Sequence, residues 1–415
     1  MADRRSGAPV TSETVFQAGS ISKSLTAWAV AALAEQGAVD LDAAVGAQVE
    51  GWQLPESPYP SDAATPRRLL AHTAGLPFAI EGVPTATDQL RHDEVDPALL
   101  TLERAPGERF TYSNPGFAVL ALLVEDAGDG PWPIVMERTV LDPLGMDDAS
   151  FALDDALAAR ATTGHTREGD AVPADWQAPV GASGLHTTVD DLARFVEATV
   201  DGGDHPLGED ARAELHRPHS ETAGLPHAVM AEASGLGHFV ETLPNGDRAV
   251  AHVGEEEGWV GGYVAVPATG DGLVVLTNSR RGYPLLLDEA AAWAAWRDLD
   301  SLRFTRARDG VDTGARAVAG LVAGLGIVLL TGLMRDLATG RRHLSPRSRA
   351  RWPARLAQLT TALLLAGAWW GLLAAPLATF LPRVTAWGGA AVALCVAALV
   401  ANATAVRAPT PTSPW

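Results

Sequence analysis

Apolar residues recur at helical spacing in three stretches of the first 200 residues. The first runs from Ser22 to Gly37, where a glycine suits the C-terminal end of a helix. Phe117–Ala127 and Val189–Thr199 show the same spacing, and Thr187 or Thr188 can cap the start of the third. The pattern therefore predicts three helices in this part of the chain.

Later in the chain the pattern changes to short apolar runs bounded by glycine and proline. Three such runs, Val250–Val253, Trp259–Val266 and Gly272–Asn278, predict consecutive strands joined by turns. Helices in the middle followed by strands at the end are typical of an α+β body. The sequence predicts one such body over residues 1–300, and we find no internal repeats in it.

Residues 315–406 contain three long apolar segments that predict transmembrane helices: Ala315–Met334, Leu356–Leu381 and Val384–Val406. Buried helices of a soluble protein are the alternative. The segments lack the internal ionisable residues that mark an ion path, so we expect an anchor rather than a transporter. Residues 301–314 would link this anchor to the body, and the Pro/Thr-rich residues 407–415 would form a disordered tail.

Arginines around these segments predict their orientation. Seven arginines lie in the basic loop of residues 335–355, whereas the turn between the second and third segments carries only Arg383. The positive-inside rule places the basic loop in the cytoplasm, so that residues 1–300 lie outside the cell membrane. Met1–Val10 has no apolar export segment, and we therefore expect the true start of the protein to lie upstream.

Charge divides the chain at the same place. Residues 1–300 hold 18 basic and 47 acidic residues, a net charge of −29, whereas residues 301–415 hold 13 basic and 3 acidic residues. An acidic body argues against nucleic-acid binding, because a phosphate backbone needs cationic partners. Dense carboxylates beside basic residues that are almost all arginine favour a halophilic protein adapted to high salt, although a well-solvated surface also explains the charge.

Ser20 and Lys23 stand three residues apart at the start of the first predicted helix. Side chains at this spacing share a helix face, so Lys23 can reach the Ser20 hydroxyl. A desolvated lysine can lose its proton and act as a base, which an arginine cannot do, and Lys23 is the only lysine of the chain. We interpret the pair as a nucleophile and its base. A capping serine followed by a surface lysine is the alternative.

Two further motifs carry polar groups. Tyr112 and Asn114 lie in a turn before the second helix, and His252 and Gly254 lie on the first of the late strands. A phenol beside an ammonium group can have a lowered pKa and relay a proton, although a tyrosine packed in a turn is the alternative. A strand histidine can equally be structural.

In this order the motifs resemble those of the serine β-lactamase-related and penicillin-binding-protein-like family, especially its class C-like serine hydrolases. Three further stretches resemble the same family: Leu69–Pro77, Leu141–Met146 and Gly181–Leu185. The resemblance covers about Thr11–Asn278. It implies a β-lactamase/transpeptidase-like fold, with an antiparallel sheet flanked by helices and a helical subdomain. Relatives carry more chain before the nucleophile. If the given start is the genuine one, we expect the sheet to lack its early strands and to expose an edge.

The resemblance also implies roles for the polar residues. Ser20 would be acylated, and Lys23 would take its proton. Tyr112 would be the partner base and would later activate water. Asn114 would hydrogen-bond either Lys23 or the substrate amide.

On the late strand the resemblance implies a substrate-binding edge. His252 would stand where many relatives have lysine, and Gly254 would line the substrate. The backbone N–H groups of Ser20 and Glu255 would form the oxyanion hole, and donors placed in this way contribute about 3 kcal/mol each. His72 would help to fix a turn.

Three consecutive glutamates, Glu255–Glu257, follow the His-x-Gly motif directly. Penicillins and D-alanyl peptides carry a carboxylate that must be held near this strand. Three acidic groups would repel it unless they point away. We therefore expect weak β-lactamase activity and better turnover of neutral esters or amides.

The sequence thus predicts a serine hydrolase that acts through a Ser20 acyl-enzyme on a small-molecule or peptide substrate, as an esterase, D-amino-acid peptidase or β-lactamase-like enzyme. A catalytically silent ligand-binding or sensor module in the membrane is the alternative. We expect no cofactor and no metal, because no phosphate loop, dinucleotide fingerprint or metal-ligand cluster is present in the sequence. Cys395, the only cysteine, is interpreted as a small buried hydrophobe.

Overall fold

The computed structural model describes residues 1–200, 205–224, 226–299, 302–344, 352–373 and 382–407. It divides into two compact units, Met1–Thr305 and Arg306–Trp415. The first unit is an α+β body built on an antiparallel sheet, and the second consists mainly of long apolar helices.

The strands of the first unit are mostly short. Their bounds are β1 Phe16–Gln17, β2 Gly164–His165, β3 Ala171–Val172, β4 His186–Thr187, β5 Ser220–Glu221, β6 Ala233–Ser234, β7 Phe239–Thr242, β8 Arg248–Glu256, β9 Trp259–Val266 and β10 Asp271–Thr277. Six of them form the main sheet in the order β10-β9-β8-β7-β6-β5, with every neighbouring pair antiparallel. The three predicted strands correspond to β8, β9 and β10.

The helices of the first unit surround this sheet. Their bounds are α1 Ser22–Glu35, α2 Pro66–Leu70, α3 Thr87–Arg91, α4 Asn114–Ala127, α5 Trp132–Met136, α6 Asp155–Ala158, α7 Val189–Val200, α8 Glu209–Leu215, α9 His227–Met230 and α10 Tyr283–Trp296. The three predicted helices correspond to α1, α4 and α7. Gly37 has a φ of +76° just after α1, and Thr188 Oγ1 accepts a hydrogen bond from the backbone of Asp191 at 3.2 Å, which identifies Thr188 as the capping residue of α7.

Helices cover both faces of the main sheet. In β9, Tyr263 and Ala265 join the core formed with α1 and α4, whereas Val264 and Val266 pack with residues of α10 on the opposite face. Successive side chains of a strand point to opposite faces, so a strand covered on both sides is apolar throughout. This arrangement explains why α1 is buried along nearly its whole length and can hold polar groups out of water.

The N-terminal end of the first unit lies outside the main sheet. Strand β1 pairs with β4, with Phe16 opposite Thr187. Among the described residues, β10 lies at one edge of the main sheet. Val274 and Leu276 of β10 pack against the core that contains α7, and Val275 packs with Tyr283 of α10, so the two faces of this edge strand are partly covered.

The second unit is described by itself. Its elements are α11 Arg303–Ala338, which begins in the last residues of the first unit, β11 Arg342–Leu344, α12 Trp352–Ala366 with a π-helical continuation over Gly367–Leu373, α13 Pro382–Thr404 and β12 Ala405–Arg407. Cys395 is buried and packs with Ala362 and Leu399, as the sequence predicted for a small hydrophobe.

Two described helices, Arg303–Ala338 and Val384–Thr404, are long and apolar enough to cross a membrane on length and composition alone. The sequence predicted three such helices. The middle segment is helical up to Leu373, and its residues 374–381 lie outside the described residues. From Arg303 onward the predicted linker 301–314 is part of α11 rather than a separate segment. Of the predicted tail, only Arg407 is described, in β12.

Candidate active site

Two glycines bring the Ser20 turn against the end of β8. Residues Gly19–Ile21 form a single 3-10 turn before α1, and Gly19 has a φ of +54°. A methyl group on Gly19 would lie 2.8 Å from the backbone nitrogen of Glu255, and one on Gly254 would collide with the carbonyl oxygen of Ala18. The absence of both side chains therefore allows the backbones at Ser20 and Glu255 to approach each other, as the predicted oxyanion hole requires.

The pairing of β8 with β9 leaves the Glu255 backbone free to face this turn. Glu256 and Trp259 close the two-residue hairpin between the strands, and Glu255 lies opposite Val260. Backbone groups in an antiparallel pair alternate between facing the partner and facing away from it. Since the pair that flanks a two-residue turn is hydrogen-bonded, the N–H of Glu255 points away from β9, toward the Ser20 turn.

Lys23 is fully buried beside Ser20. Its Nζ donates to Ser20 Oγ at 3.0 Å and to the carbonyl oxygen of Ala182 at 2.9 Å. Burial removes the hydration that stabilises an ammonium ion and lowers the pKa of Lys23 to about 7, although the charge of Glu256 acts in the opposite direction. A large fraction of Lys23 is thus neutral at neutral pH and can accept a proton from Ser20.

The segment 181–185 holds Lys23 in place. Ala182 supplies the carbonyl acceptor, and the backbone N–H of Leu185 donates to Ser22 Oγ at 3.1 Å. Gly181 has a φ of +69° and lies so close to Phe117 of α4 that a side chain would collide with it. The sequence indicated this segment only through its resemblance to a family. Its contacts show that it packs against both α1 and α4 beside the site.

Tyr112 lies on the other side of Ser20, within a stack of rings. Its ring lies 4.3 Å from that of His72 and 4.6 Å from that of His227, and Lys23 Nζ lies 4.9 Å from its centroid. Burial raises the pKa of Tyr112 well above its ordinary value, although an interaction with the Ser20 hydroxyl group acts in the opposite direction. The sequence indicated that a neighbouring ammonium group can lower this pKa, whereas burial of the phenol raises it.

Asn114 is the first residue of α4, and its amide nitrogen is bonded to a loop carbonyl. Its Nδ2 donates to the carbonyl oxygen of Ala79 at 2.7 Å. Its Oδ1 is buried and has no hydrogen-bond partner among the described residues. The structure thus gives no support to the expected bond with Lys23, which uses Ala182 instead. The second expectation, a bond with the substrate amide, remains a prediction.

His252 reaches the site as a neutral side chain. It is buried, its ring packs 5.0 Å from that of Phe239, and its Nδ1 lies 2.9 Å from the carbonyl oxygen of Val253, which assigns the proton to Nδ1. Burial, assisted by the charge of Lys23, lowers the pKa of His252 to about 3. The position therefore carries no positive charge at neutral pH.

Two of the three consecutive glutamates point away from the site. Arg280 donates to Glu255 Oε1 at 3.0 Å and to Glu257 Oε2 at 2.8 Å, and the hydroxyl of Tyr283 donates to Glu255 Oε2 at 2.7 Å. Glu256 lies between them on the opposite face of the strand, where burial raises the pKa of its carboxyl group, although Ser183 and the charges of Lys23 and Arg280 act in the opposite direction. The alternation of β8 could have identified Glu256 from the sequence, because it shares a face with His252.

A family model described as Beta-lactamase matches residues 1–296. The chain belongs to the Beta-lactamase family. Among curated relatives, Protein flp of Staphylococcus aureus is 24% identical over 279 residues, covering 65% of this chain and 54% of that protein. Penicillin-binding protein 4 of Amycolatopsis lactamdurans is 27% identical over 288 residues, covering 66% and 75%. Esterase EstB of Burkholderia gladioli is 34% identical over 170 residues, covering 36% and 42%.

Solved structures show the Beta-lactamase-family fold in this chain. The octameric penicillin-binding protein homologue from Pyrococcus abyssi has a TM-score of 0.65 at 22% identity, covering 75% of this chain and 73% of that one. A class C beta-lactamase has a TM-score of 0.57 at 20% identity, covering 67% and 81%. The D-amino acid amidase from Ochrobactrum anthropi has a TM-score of 0.54 at 21% identity, covering 67% and 80%.

These comparisons place the chain among serine hydrolases with beta-lactamase, D-amino acid amidase and esterase relatives. The chain spans about half the length of the first curated relatives that it matches. Its specific reaction therefore has to be argued from its own residues.

Proposed function

We propose that this protein is a serine hydrolase that acts through an acyl-enzyme on Ser20, with an ester or amide as its substrate. The observation that carries the proposal is the contact between Lys23 Nζ and Ser20 Oγ at 3.0 Å, in a site where burial lowers the pKa of the lysine to about 7. A serine hydroxyl is a weak nucleophile unless an adjacent base takes its proton. Lys23 is that base.

The same contacts support a complete reaction. Neutral Lys23 takes the Ser20 proton as Oγ attacks the substrate carbonyl, and the negative oxygen that forms is stabilised by the N–H groups of Ser20 and Glu255. The bond to the leaving group then breaks, and the proton passes from Lys23 through the Tyr112 hydroxyl to that group. Water attacks the acyl-enzyme by the reverse route, returns the proton to Ser20 and releases the acid.

Tyr112 acts in this scheme as a neutral proton carrier. Its raised pKa keeps the phenol protonated at neutral pH, so it can donate to the leaving group while it accepts from Lys23. It does not act as a phenolate base in the resting protein, which differs from the role expected from the sequence.

Covalent labelling of Ser20 with a fluorophosphonate probe tests the proposal, with the full chain in mild detergent. We expect labelling of the native protein, none in Ser20→Ala, and a loss of at least about a hundredfold in Lys23→Met, since the nucleophile loses its base. Ser61→Ala, at an exposed position, is the matched control and keeps native labelling. A folded native protein that never labels would contradict the proposal and favour the silent binding module.

For the second unit we propose a membrane anchor, with the hydrolase unit outside the cell. Large apolar side chains of α11 are exposed in the structure, among them Val318, Leu321 and Val328, and such surfaces favour burial in lipid. Retention of the full chain in membranes washed with alkaline carbonate tests the anchor. Labelling of a Ser61→Cys variant by a membrane-impermeant thiol reagent on intact cells tests the orientation, and absence of labelling until lysis would reverse it.

A further inference from the structure

Glu256 is the one member of the glutamate run that shares a strand face with the site residues of β8. Side chains two and four residues apart along a strand lie on the same face, so Glu256 lies on the face of Gly254 and His252. Gly254 packs directly against the Ser20 turn. The carboxyl group of Glu256 therefore lies beside the position at which the substrate carbonyl must bind.

The groups around Glu256 leave its charge to be compensated by something else. Ser183, which interacts with its carboxyl group, is neutral, and His252 on the same strand face is neutral as well. Arg280 is hydrogen-bonded to Glu255 and Glu257 on the opposite face. The charges of Lys23 and Arg280 both act on Glu256, but Arg280 is shared with the other two glutamates, and Lys23 must be neutral to accept the Ser20 proton.

In the reactive state the site thus holds a partly buried carboxylate without a charged partner of its own. A half-buried carboxylate of this kind favours a bound cation and disfavours a second anion. A positive charge on the substrate would also favour the neutral form of Lys23 by like-charge repulsion. Both effects favour a positively charged substrate.

We infer that Glu256 determines substrate specificity by binding a positively charged nitrogen beside the scissile carbonyl, so that the enzyme prefers amine-bearing esters or amides and rejects carboxylate-bearing ones. The inference rests on the proposed Ser20 hydrolase function and names its substrate class. It is more specific than the expected preference for neutral substrates, because a neutral and a cationic substrate differ in their interaction with one carboxylate.

Two substrate series test this inference in the full chain. The first is alanine p-nitroanilide, in both enantiomers, with a free amine, an N-acetyl or an N-succinyl group. The second is acyl thioesters of thiocholine, ethanethiol or mercaptoacetate, which place the charge on the leaving group instead. We expect at least one series to show kcat/KM for the cation about tenfold or more above that for the anion, and the neutral compound between them.

Two variants distinguish the effect of Glu256 on substrate preference from that of the protein's overall negative charge. Glu256→Gln is expected to bring the cation-to-anion ratio close to one, whereas Glu257→Gln, which removes the same charge from a residue bonded to Arg280, keeps the native ratio. A ratio that falls equally in both variants would assign the preference to the overall negative charge and overturn the inference. So would a native ratio near one in both series, a result that requires no variant to fold.

Failure of the inference and failure of the proposed function are distinguishable. If the neutral substrates are hydrolysed with no charge preference, only the role of Glu256 is wrong. If no substrate reacts and Ser20 is not labelled, the hydrolase proposal is wrong, and the inference falls with it.

Discussion

The ring of His72 stacks on the ring of Tyr112 with their centroids 4.3 Å apart, and the backbone on both sides of Tyr112 is bonded to the same histidine. The N–H of Thr111 donates to the His72 carbonyl oxygen at 2.7 Å, and the N–H of Ser113 donates to His72 Nδ1 at 3.1 Å. His72 itself has a φ of +58°, a conformation that few side chains tolerate. One residue therefore positions the phenol that interacts with Ser20.

Substitution of His72 is expected to impair Tyr112 before it impairs the fold as a whole. His72→Ala removes the stacked ring and the acceptor of the Ser113 N–H, and we expect a loss of about 2–4 kcal/mol in unfolding free energy with a slower fluorophosphonate reaction. His72→Asn tolerates the positive φ and retains an acceptor, so it should recover part of the stability. Urea unfolding and labelling rates of both variants check these expectations. Equal stability of the native protein and His72→Ala would contradict the positioning role of His72.

The labelling rate should depend on pH through Lys23. Only neutral Lys23 accepts the Ser20 proton, so the rate rises as pH increases toward about 7 and levels off above it. Around Lys23, the pKa values of His72, His227 and His252 are lowered, so these rings stay neutral there, and that of Tyr112 is raised. Glu256 raises the pKa of Lys23, so Glu256→Gln should shift the profile to lower pH. A labelling rate that does not change between pH 5 and 9 would exclude Lys23 as the base.

The buried lysine should reduce stability. The folded-state pKa of Lys23 lies below its ordinary value of 10.5, so the unfolded chain binds more protons between about pH 7 and 10.5, and the cost declines as pH rises through that window. Lys23→Met should therefore raise the unfolding free energy by about 2–4 kcal/mol below pH 7, and by less near pH 10. Thermal melts of both proteins at pH 6 and 9.5 check this, and a lower melting temperature of the variant at pH 6 would contradict it.

Gly254→Ala tests the contact between β8 and the Ser20 turn. The added methyl group collides with the Ala18 carbonyl oxygen, so it must displace the turn or the strand, and we expect labelling to fall by about a hundredfold or more. Gly130→Ala is the matched control, because its new methyl group would meet only Val135 at 3.8 Å. Native labelling of Gly254→Ala in a folded protein would show that the two backbones need not be in contact.

High salt should stabilise the first unit. Its net charge of −29 over residues 1–300 imposes self-repulsion that counterions screen. We expect the melting temperature to rise by several degrees between 0.1 and 2 M KCl. The rise should be smaller in a variant whose exposed glutamates have been replaced by glutamine, and an unchanged melting temperature would argue against adaptation to salt.

Much of the fold could be predicted because the apolar residues of its longer helices and strands follow a clear pattern. Strand β9 has the predicted bounds Trp259–Val266, and α7 differs from its prediction by one residue. The two-residue strands such as β1 and β4 could not be predicted, since two residues show no period. Their pairing depends on a tertiary contact between Phe16 and Thr187, which are far apart in the chain.

The sequence predicts which polar residues form the site, but not which of them are charged. The three-residue spacing alone predicts that Lys23 reaches Ser20. The direction of the shift in the Tyr112 pKa, in contrast, depends on the rings of His72 and His227, which come from remote segments. His227 was not predicted as a site residue, because nothing in its local sequence differs from an ordinary loop. Ser183 lies in the family-like stretch Gly181–Leu185, but the resemblance implied no role for it. Glu256 was noticed only as one of three acidic residues, although strand alternation already separates it from its neighbours.

The burial of Lys23 makes the amine chemistry of this protein unusually selective. The chain has no other lysine, so an activated ester that modifies ε-amino groups has one side chain to react with, and that side chain is buried beside Ser20. Its pKa of about 7 leaves much of it in the nucleophilic form at neutral pH. A mass shift on the peptide that contains Lys23 therefore reports whether a reagent can reach the Ser20 site, with no background from surface lysines.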